Sequence, residues 1–402
     1  MSRLEELIQE LCPNGVEYKT IEELCEVKNG YTPSKKNSEF WNNGDFPWFR
    51  MEDIRANGTE LSDSIQHVNL AGVKGNGFPA NSIIFATTAT IGEHALIKVP
   101  FICNQQLTHI HIKERITPIL DIKFLFYYSD IIDEMCKSNV KGSSTLPSVA
   151  LNRFKQFKVP VPPMDVQHEI VHILDKFTEL TAELTAELTA RKKQYQYYLN
   201  HYFESQLDNL VSLDSLGTLT RGKRFVHADA IGQGVPCIHY GELYTYYGVY
   251  ANNVKSHIRE ELRPKMRYAH KGDVIIVGAG ENNIDIGIGV AWEGDEDVAV
   301  HDACYILCHS QNSKYISYFL RSDMYHNQIK KYVSEGKICS ISAKGLGKAM
   351  IPLPSIAEQQ KIVEILDRFD ALCNDLTSGL PAEIEARKKQ YEYYRDKLLS
   401  FK

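Results

Sequence analysis

The chain has 402 residues, enough for two or three domains that each bury a core of their own. Its composition, 43% hydrophobic and 24% charged, is that of an ordinary globular protein, and a net charge of −6 excludes a uniformly basic nucleic-acid binder while leaving room for a local basic face. No apolar run approaches membrane-spanning length, and Glu5 and Glu6 interrupt what would have to be a secretory apolar core, so we expect no membrane and a cytoplasmic location.

In chain order, residues 1–158 read as a mixed α/β domain. Short apolar runs at 82–87 and 107–113 predict strands, and the aromatic-rich segment Ile122–Met135 predicts a helix. Val159-Pro-Val-Pro162 then punctuates the start of a long helix, because proline favours extended backbone before it and tolerates only a first helical turn. In this segment, 159–205, Phe177, Leu180, Leu184, Leu188 and Tyr195 recur mostly at three- and four-residue steps, and Thr-Ala-Glu-Leu occurs twice in succession from Thr181 to Leu188. A helix over 164–203 would be about 60 Å long. Residues 206–350 read as a second mixed domain, with strands at 274–277 and 304–308 and a helix over 315–332. Ile351-Pro-Leu-Pro354 opens the final segment, 351–402, whose stripe includes Ile362, Ile365, Phe369, Leu372, Leu376 and Tyr391. Ser378-Gly-Leu-Pro381 predicts a break within it. The fold class is therefore α+β: two mixed domains separated by two long coiled-coil helices.

The chain contains itself twice. Ile170-Val-His-Ile-Leu-Asp-Lys-Phe177 returns as Ile362-Val-Glu-Ile-Leu-Asp-Arg-Phe369 at an offset of 192, and Arg191-Lys-Lys-Gln-Tyr-Gln-Tyr-Tyr198 returns as Arg387-Lys-Lys-Gln-Tyr-Glu-Tyr-Tyr394 at 196. The domains echo each other faintly, as in Phe46-Pro-Trp-Phe-Arg50 and Val235-Pro-Cys-Ile-His239, or Asn81-Ser-Ile-Ile-Phe85 and Gly272-Asp-Val-Ile-Ile276. Whatever the helices do is done twice, and whatever the domains do differs between them.

Catalytic signals are sparse. His168-Glu-Ile-Val-His172 matches the zinc-protease spacing, but the repeat reads Gln360-Lys-Ile-Val-Glu364, keeping the apolar positions and discarding the ligands. We take both histidines as the solvent side of a helix; a zinc metalloprotease is the rival reading. Val277-Gly-Ala-Gly280 lacks the rest of a dinucleotide fingerprint and reads as a tight turn, and there is no P-loop. Nine scattered cysteines indicate reduced thiols, with Cys304, Ile306 and Cys308 alternating onto one buried strand face. Nor is there an Asn-Pro-Pro-aromatic tetrapeptide of the kind amino-methyltransferases use. No catalytic residue and no metal ligand are assigned.

The duplicated Pro-x-Pro, the Ile-Leu-Asp-[KR]-Phe motif, the Thr-Ala-Glu-Leu units and Arg-Lys-Lys-Gln-Tyr-x-Tyr-Tyr together resemble the conserved regions of type I restriction-modification specificity subunits. The resemblance implies a pseudo-two-fold chain in which the two long helices run antiparallel and hold apart target recognition domains 1–158 and 206–350, each of which reads one half of a bipartite double-stranded DNA site. It implies docking of two methyltransferase subunits and of motor-nuclease subunits, and a non-catalytic role for this chain. S-adenosylmethionine, ATP and magnesium would then be used by those partners, with no cofactor here. A coiled-coil scaffold that binds only proteins is the remaining alternative.

DNA contacts need Lys, Arg and small polar groups at phosphates, and Arg, Lys, Asn or Gln at base edges. In the first domain the candidates are Lys28, Tyr31, Ser34, Lys35, Lys36, Arg50, Thr87, Thr88, Asn104, Gln105, Gln106, Lys141, Ser143 and Ser144. In the second they are Arg221, Lys223, Arg224, His239, Tyr240, Asn282, Asn283, His301, Lys337 and Ser340, with Arg263-Pro-Lys-Met-Arg267 as a further basic run.

Overall fold

The computed structural model describes residues 3–140, 147–206 and 209–401. The chain divides into two compact units, Met1–Glu183 with Glu385–Lys402, and Leu184–Ile384. Each unit thus combines one globular domain, the front half of the helix that follows it, and the rear half of the helix from the other repeat.

The two domains share one plan. Unit 1 has a five-stranded sheet in the order Cys25–Asn29, Leu107–Ile112, Ser82–Ala86, His94–Ile97 and Glu60–Leu61; in unit 2 the order is Gly217–Arg221, Cys304–His309, Val274–Val277, Gly289–Trp292 and Tyr250–Ala251. Beside each lies a second sheet, three-stranded in unit 1 and five-stranded with shorter strands in unit 2, containing one parallel pair, Phe46–Phe49 with Ile102–Cys103 in unit 1 and Val235–Ile238 with Val298–Val300 in unit 2. The central strand of each large sheet, Ser82–Ala86 or Val274–Val277, is buried over its length, which is why it reads as an apolar run without alternation. Cys304–His309 departs from the expected alternation for the same reason. Tyr305 and Leu307 are buried along with Cys304 and Ile306, while Cys308, at the strand end, is exposed. All nine cysteines are free thiols.

The long helix spans Met164–Ser205 without a break. Its repeat counterpart is two helices, Ile356–Asn374 and Leu380–Leu399. The Asp375 carboxylate accepts from Thr377 N–H and the Thr377 and Ser378 hydroxyls, capping the turn, and a Cβ on Gly379 would fall 2.4 Å from the Ala371 carbonyl. The helix expected over 315–332 is also divided, into Ser313–Phe319 and Asp323–Ile329 with a 3-10 turn at Lys330–Tyr332, because the Ser322 side chain caps a fresh helix start.

The repeated motifs are seats for the domains. Leu174 and Leu366 are buried. Beside them Asp175 accepts from Lys123 Nζ at 2.7 Å and Tyr127 Oη at 2.5 Å, and Asp367 accepts from Lys314 Nζ at 2.9 Å and Tyr318 Oη at 2.7 Å. Fully buried Gln167 and Gln359 each donate to a Pro-x-Pro carbonyl and accept from the N-cap residue of a domain helix, Asp121 or Asn312. The aromatic residues are exchanged between the repeats: Phe177 stacks with Tyr394 at 5.5 Å in unit 1, and Phe369 meets Tyr198 at 5.4 Å in unit 2. In unit 2 Cys373 neighbours Lys192, Phe369 meets Tyr198 and Tyr202 neighbours Glu358, so these segments run antiparallel.

The stripe read from the second helix is partly out of phase. Leu376 lies in the break and is 80% exposed, Ile365 and Leu372 are also exposed, and the buried set is Val363, Leu366 and Cys373. Ile365 and Leu372 lie within Ile356–Asn374, one position from the buried Leu366 and Cys373 and so on the helix's outer side, while Leu376 falls in the 375–379 turn, where helical phase is lost. In the first helix, Phe177, Leu180, Leu184, Leu188 and Tyr195 are half-buried, as Tyr391 is in the last.

Candidate functional site

In each domain the site is built on the parallel strand pair and on the loop that follows the first edge strand. In unit 1, Gly30 N–H donates to the Leu107 carbonyl and Tyr31 N–H to that of Cys103; in unit 2, Gly222 N–H donates to Cys304 and Lys223 N–H to Val300. Chain segments cross so closely here that a Cβ on Gly30 would sit 2.1 Å from the Asn104 carbonyl, and one on Gly222 2.2 Å from that of His301. Glycine is required at both crossings.

In unit 1 this gathers Tyr31, Arg50, Thr87, Thr88, Asn104, Gln105 and Gln106. Asn104 N–H donates to the Phe49 carbonyl, Gln106 N–H to Asn104 Oδ1, Thr87 N–H to the Gln106 carbonyl and Thr32 Oγ1 to Gln105 Oε1. The Arg50 guanidinium lies 5.1 Å from the Trp48 ring centre and pairs with Glu52 at 2.7 Å, while its Nε is buried without a partner. Thr87 is buried against Thr108, so its hydroxyl faces inward. Ser34, Lys35 and Lys36 are exposed on the loop beyond. Lys28, on the edge strand, is exposed and paired with Glu26. Lys141, Ser143 and Ser144 lie outside the described residues. Lys74 was missed: its N–H donates to Tyr31 Oη at 2.6 Å and its ammonium stands 4.7 Å from that ring, a contact across 43 residues that no local pattern signals.

In unit 2 the same place is aromatic and imidazole-rich. The His239 ring lies 4.3 Å from Tyr240 and 4.5 Å from His301, and Phe225 meets His301 edge-on at 4.9 Å. Burial lowers the pKa of both imidazoles, so each is neutral at pH 7. His301 is fully committed, with Nδ1 accepting from Ala303 N–H and Nε2 donating to the Phe225 carbonyl. It therefore positions the cluster. His239 uses Nδ1 to accept from Gly241 N–H. Arg221 donates to the Asp302 carbonyl, and Arg267 donates to the Arg221 carbonyl. Lys223 and Arg224 are exposed. Within the further basic run Arg263 is paired with Glu260 at 2.7 Å.

Asn282 and Asn283 lie on an exposed adjoining loop, where Asn283 donates to Glu335. Lys337 is exposed, and Ser340 pairs with Ala279. The segment 277–280 is not a tight turn. Gly278 and Ala279 N–H groups both donate to the Ala303 carbonyl, and Ala279–Gly280 forms a two-residue strand, with Tyr305 too close for a Cβ at Gly278.

The zinc-protease spacing gathers no site. His168 and His172 are exposed, Glu169 pairs with Arg3, and among the described residues the one group of three such ligands is His94, Asp130 and Asp133, elsewhere in unit 1. Chemically, the two faces offer unlike hydrogen-bonding sets: guanidinium and amides in unit 1, neutral imidazole, phenol and cations in unit 2. No helix among the described residues is long and apolar enough to cross a membrane.

A family model described as the type I restriction modification DNA specificity domain matches residues 13–191 and again 209–386. The EcoprrI type I restriction enzyme specificity subunit of Escherichia coli is 36% identical over 375 residues, covering 90% of this chain and 89% of that one. The EcoR124I/EcoR124II specificity subunit of the same organism is 35% identical over 274 residues, 62% of this chain and 65% of that one. The fold is similar to the HsdS subunit from Thermoanaerobacter tengcongensis, with a TM-score of 0.51 at 18% identity over 96% of this chain and 97% of that one. It is also similar to a chain in a structure of type I restriction-modification complex assembly, with a TM-score of 0.67 at 16% identity over 96% and 98%.

Proposed function

Because this chain belongs to the type I restriction modification DNA specificity family, we propose that it is the sequence-reading subunit of such an enzyme, each domain reading one half of a bipartite double-stranded DNA site. The observation that carries this reading is the pairing of one fold plan with two chemically unlike faces at the same topological place. Arg50 and the Asn104–Gln106 amides suit guanine and adenine edges in the first domain; His239, Tyr240 and the exposed Lys223 and Arg224 serve the second. The helical segments would dock two methyltransferase subunits and, in the larger assembly, motor-nuclease subunits. Methyl transfer from S-adenosylmethionine and magnesium- and ATP-dependent work belong in this reading to those partners, this chain being non-catalytic and cytoplasmic.

The unbroken helix Met164–Ser205 supplies the ruler. One Thr-Ala-Glu-Leu unit adds about 6 Å of helix, against roughly 3.4 Å per base pair. Inserting a third unit after Leu188 is expected to lengthen the unread spacer and leave both half-sites unchanged, as read by mapping methylated adenines genome-wide. Changed half-sites with an unchanged spacer would refute the reading. If the chain were only a protein scaffold, its complex with methyltransferase would show no salt-dependent DNA retardation in a mobility assay.

A further inference from the structure

The two seats repeat the same carboxylate, glutamine and aromatic contacts, so those contacts cannot by themselves say which domain sits where. The structure differs at one place. Three residues after the seat tyrosine, domain 1 carries Asp130 and domain 2 carries Arg321. In unit 1, Arg395 of the last helix pairs with Asp130 at 2.9 Å, beside Tyr391. In unit 2, Arg321, Asp370 and Tyr195, the repeat equivalent of Tyr391, line one cleft of about 850 Å³; Arg321 and Asp370 face the same space without a direct ion pair, and Asp370 accepts from Asn374 Nδ2 at 2.8 Å. The helix charges have no counterpart in the other seat: by the repeat offsets, Asp370 corresponds to Thr178 and Arg395 to Leu199.

The surroundings reinforce the difference. His94 Nδ1 bonds Asp133 at 2.7 Å, both are buried, and Asp133 Oδ1 has no partner, so domain 1 holds a second carboxyl close to Asp130, the residue that the Arg395 guanidinium pairs with. In unit 2 the strand residue corresponding to His94 is Gly289, and the helix that carries Asp133 in domain 1 is replaced by two shorter helices, Ser313–Phe319 and Asp323–Ile329. Arg321 donates to the Gly248 carbonyl and keeps a buried Nε without a partner. Were the domains exchanged, Arg321 would meet Arg395 and Asp130 would meet Asp370. Like charges in a partly desolvated seam disfavour that arrangement more than the correct pairs favour their own.

We infer that Asp130 with Arg395, and Arg321 with Asp370, form a charge key that assigns each globular domain to its own helical seat. The key is independent of DNA. It would discriminate against exchanged seats and against mixed seats formed with a second copy.

The test is native-state hydrogen exchange of the full chain, following peptides in 385–399 and 356–374. Asp130→Arg alone, or Arg395→Asp alone, is expected to speed exchange in 385–399 by roughly tenfold and leave 356–374 unchanged, whereas the double reversal restores protection. Arg321→Asp and Asp370→Arg should behave in the same way toward 356–374. The four-fold variant that reverses both pairs should be protected throughout, while Asp130→Arg with Arg321→Asp should lose protection in both. Additive doubles, or single reversals with wild-type exchange, would overturn the inference. Should a reversal fail to fold, Asp130→Asn and Arg395→Gln, or Arg321→Gln and Asp370→Asn, form the same cycle with a smaller, roughly threefold effect, and zero coupling there is equally decisive.

Discussion

A chain ending at Ile384 is expected to lose the fold of unit 1 while unit 2 persists. The final helix supplies Leu399, 1% exposed, to the core that also holds Phe124, Ile170 and Leu174, all fully buried, with Tyr391 and Leu398 packed against it. Its removal also breaks the Phe177–Tyr394 stack and the Arg395–Asp130 pair. A single buried Leu→Ala change costs about 2–5 kcal/mol, and a domain's whole stability is about 5–15 kcal/mol, so losing the segment takes most of it. Trp41 and Trp48 lie in unit 1 and Trp292 in unit 2, so urea unfolding followed by tryptophan fluorescence separates the two. The transition of unit 1 should disappear or shift to far lower denaturant, and Leu399→Ala should reproduce that loss in milder form, by about 2–4 kcal/mol. An unchanged pair of transitions in the truncated chain would contradict the exchanged architecture.

Gly222→Ala should cost one half of the recognised site. The added methyl would lie 2.2 Å from the His301 carbonyl and 2.3 Å from that of Val300, both on backbone that pairs with neighbouring strands and cannot yield as a side-chain end can. Separating these segments costs about 2–3 kcal/mol and displaces the loop bearing Lys223 and Arg224 from His239. Gly30→Ala, 2.1 Å from the Asn104 carbonyl, is expected to do the same to the first domain. With methyltransferase present, each variant should lose discrimination at its own half-site and retain it at the other, in methylation assays on substrates altered in one half at a time. Arg224→Ala, on an exposed side chain, should instead weaken binding evenly across sequences and lower its salt dependence. Uniform weakening by Gly222→Ala would place the crossing outside the reading surface.

The repeat was visible in the primary structure because the seat motifs are short, local and nearly identical in both copies: Leu174, Asp175 and Phe177 meet their partners in one seat, and Leu366, Asp367 and Phe369 meet the equivalent partners in the other. Helix existence was legible for the same reason, since apolar spacing over many turns leaves little choice. Phase was not. Leu376 fitted the spacing and emerged 80% exposed, because the 375–379 turn resets the helical angle and a stripe counted through it addresses the wrong face.

Residue type identified the basic loop Arg221–Arg224 and the amide-rich Asn104–Gln106, but it could not distinguish an available group from a committed one. Thr87 and His301 have the right chemistry, yet one faces Thr108 and the other has both ring nitrogens engaged. Lys74 has no motif and reaches Tyr31 through the fold.

The amino-acid order alone determined that two like helices carry two unlike domains, since helical periodicity and repeated motifs are properties of neighbouring residues. Only the tertiary structure decided that each domain is completed by the other repeat's helix, and which charges face each other there. Those pairings join positions far apart in the chain, as in Arg395 with Asp130, 265 residues away, and the energy that selects them exists only once the intervening chain has folded.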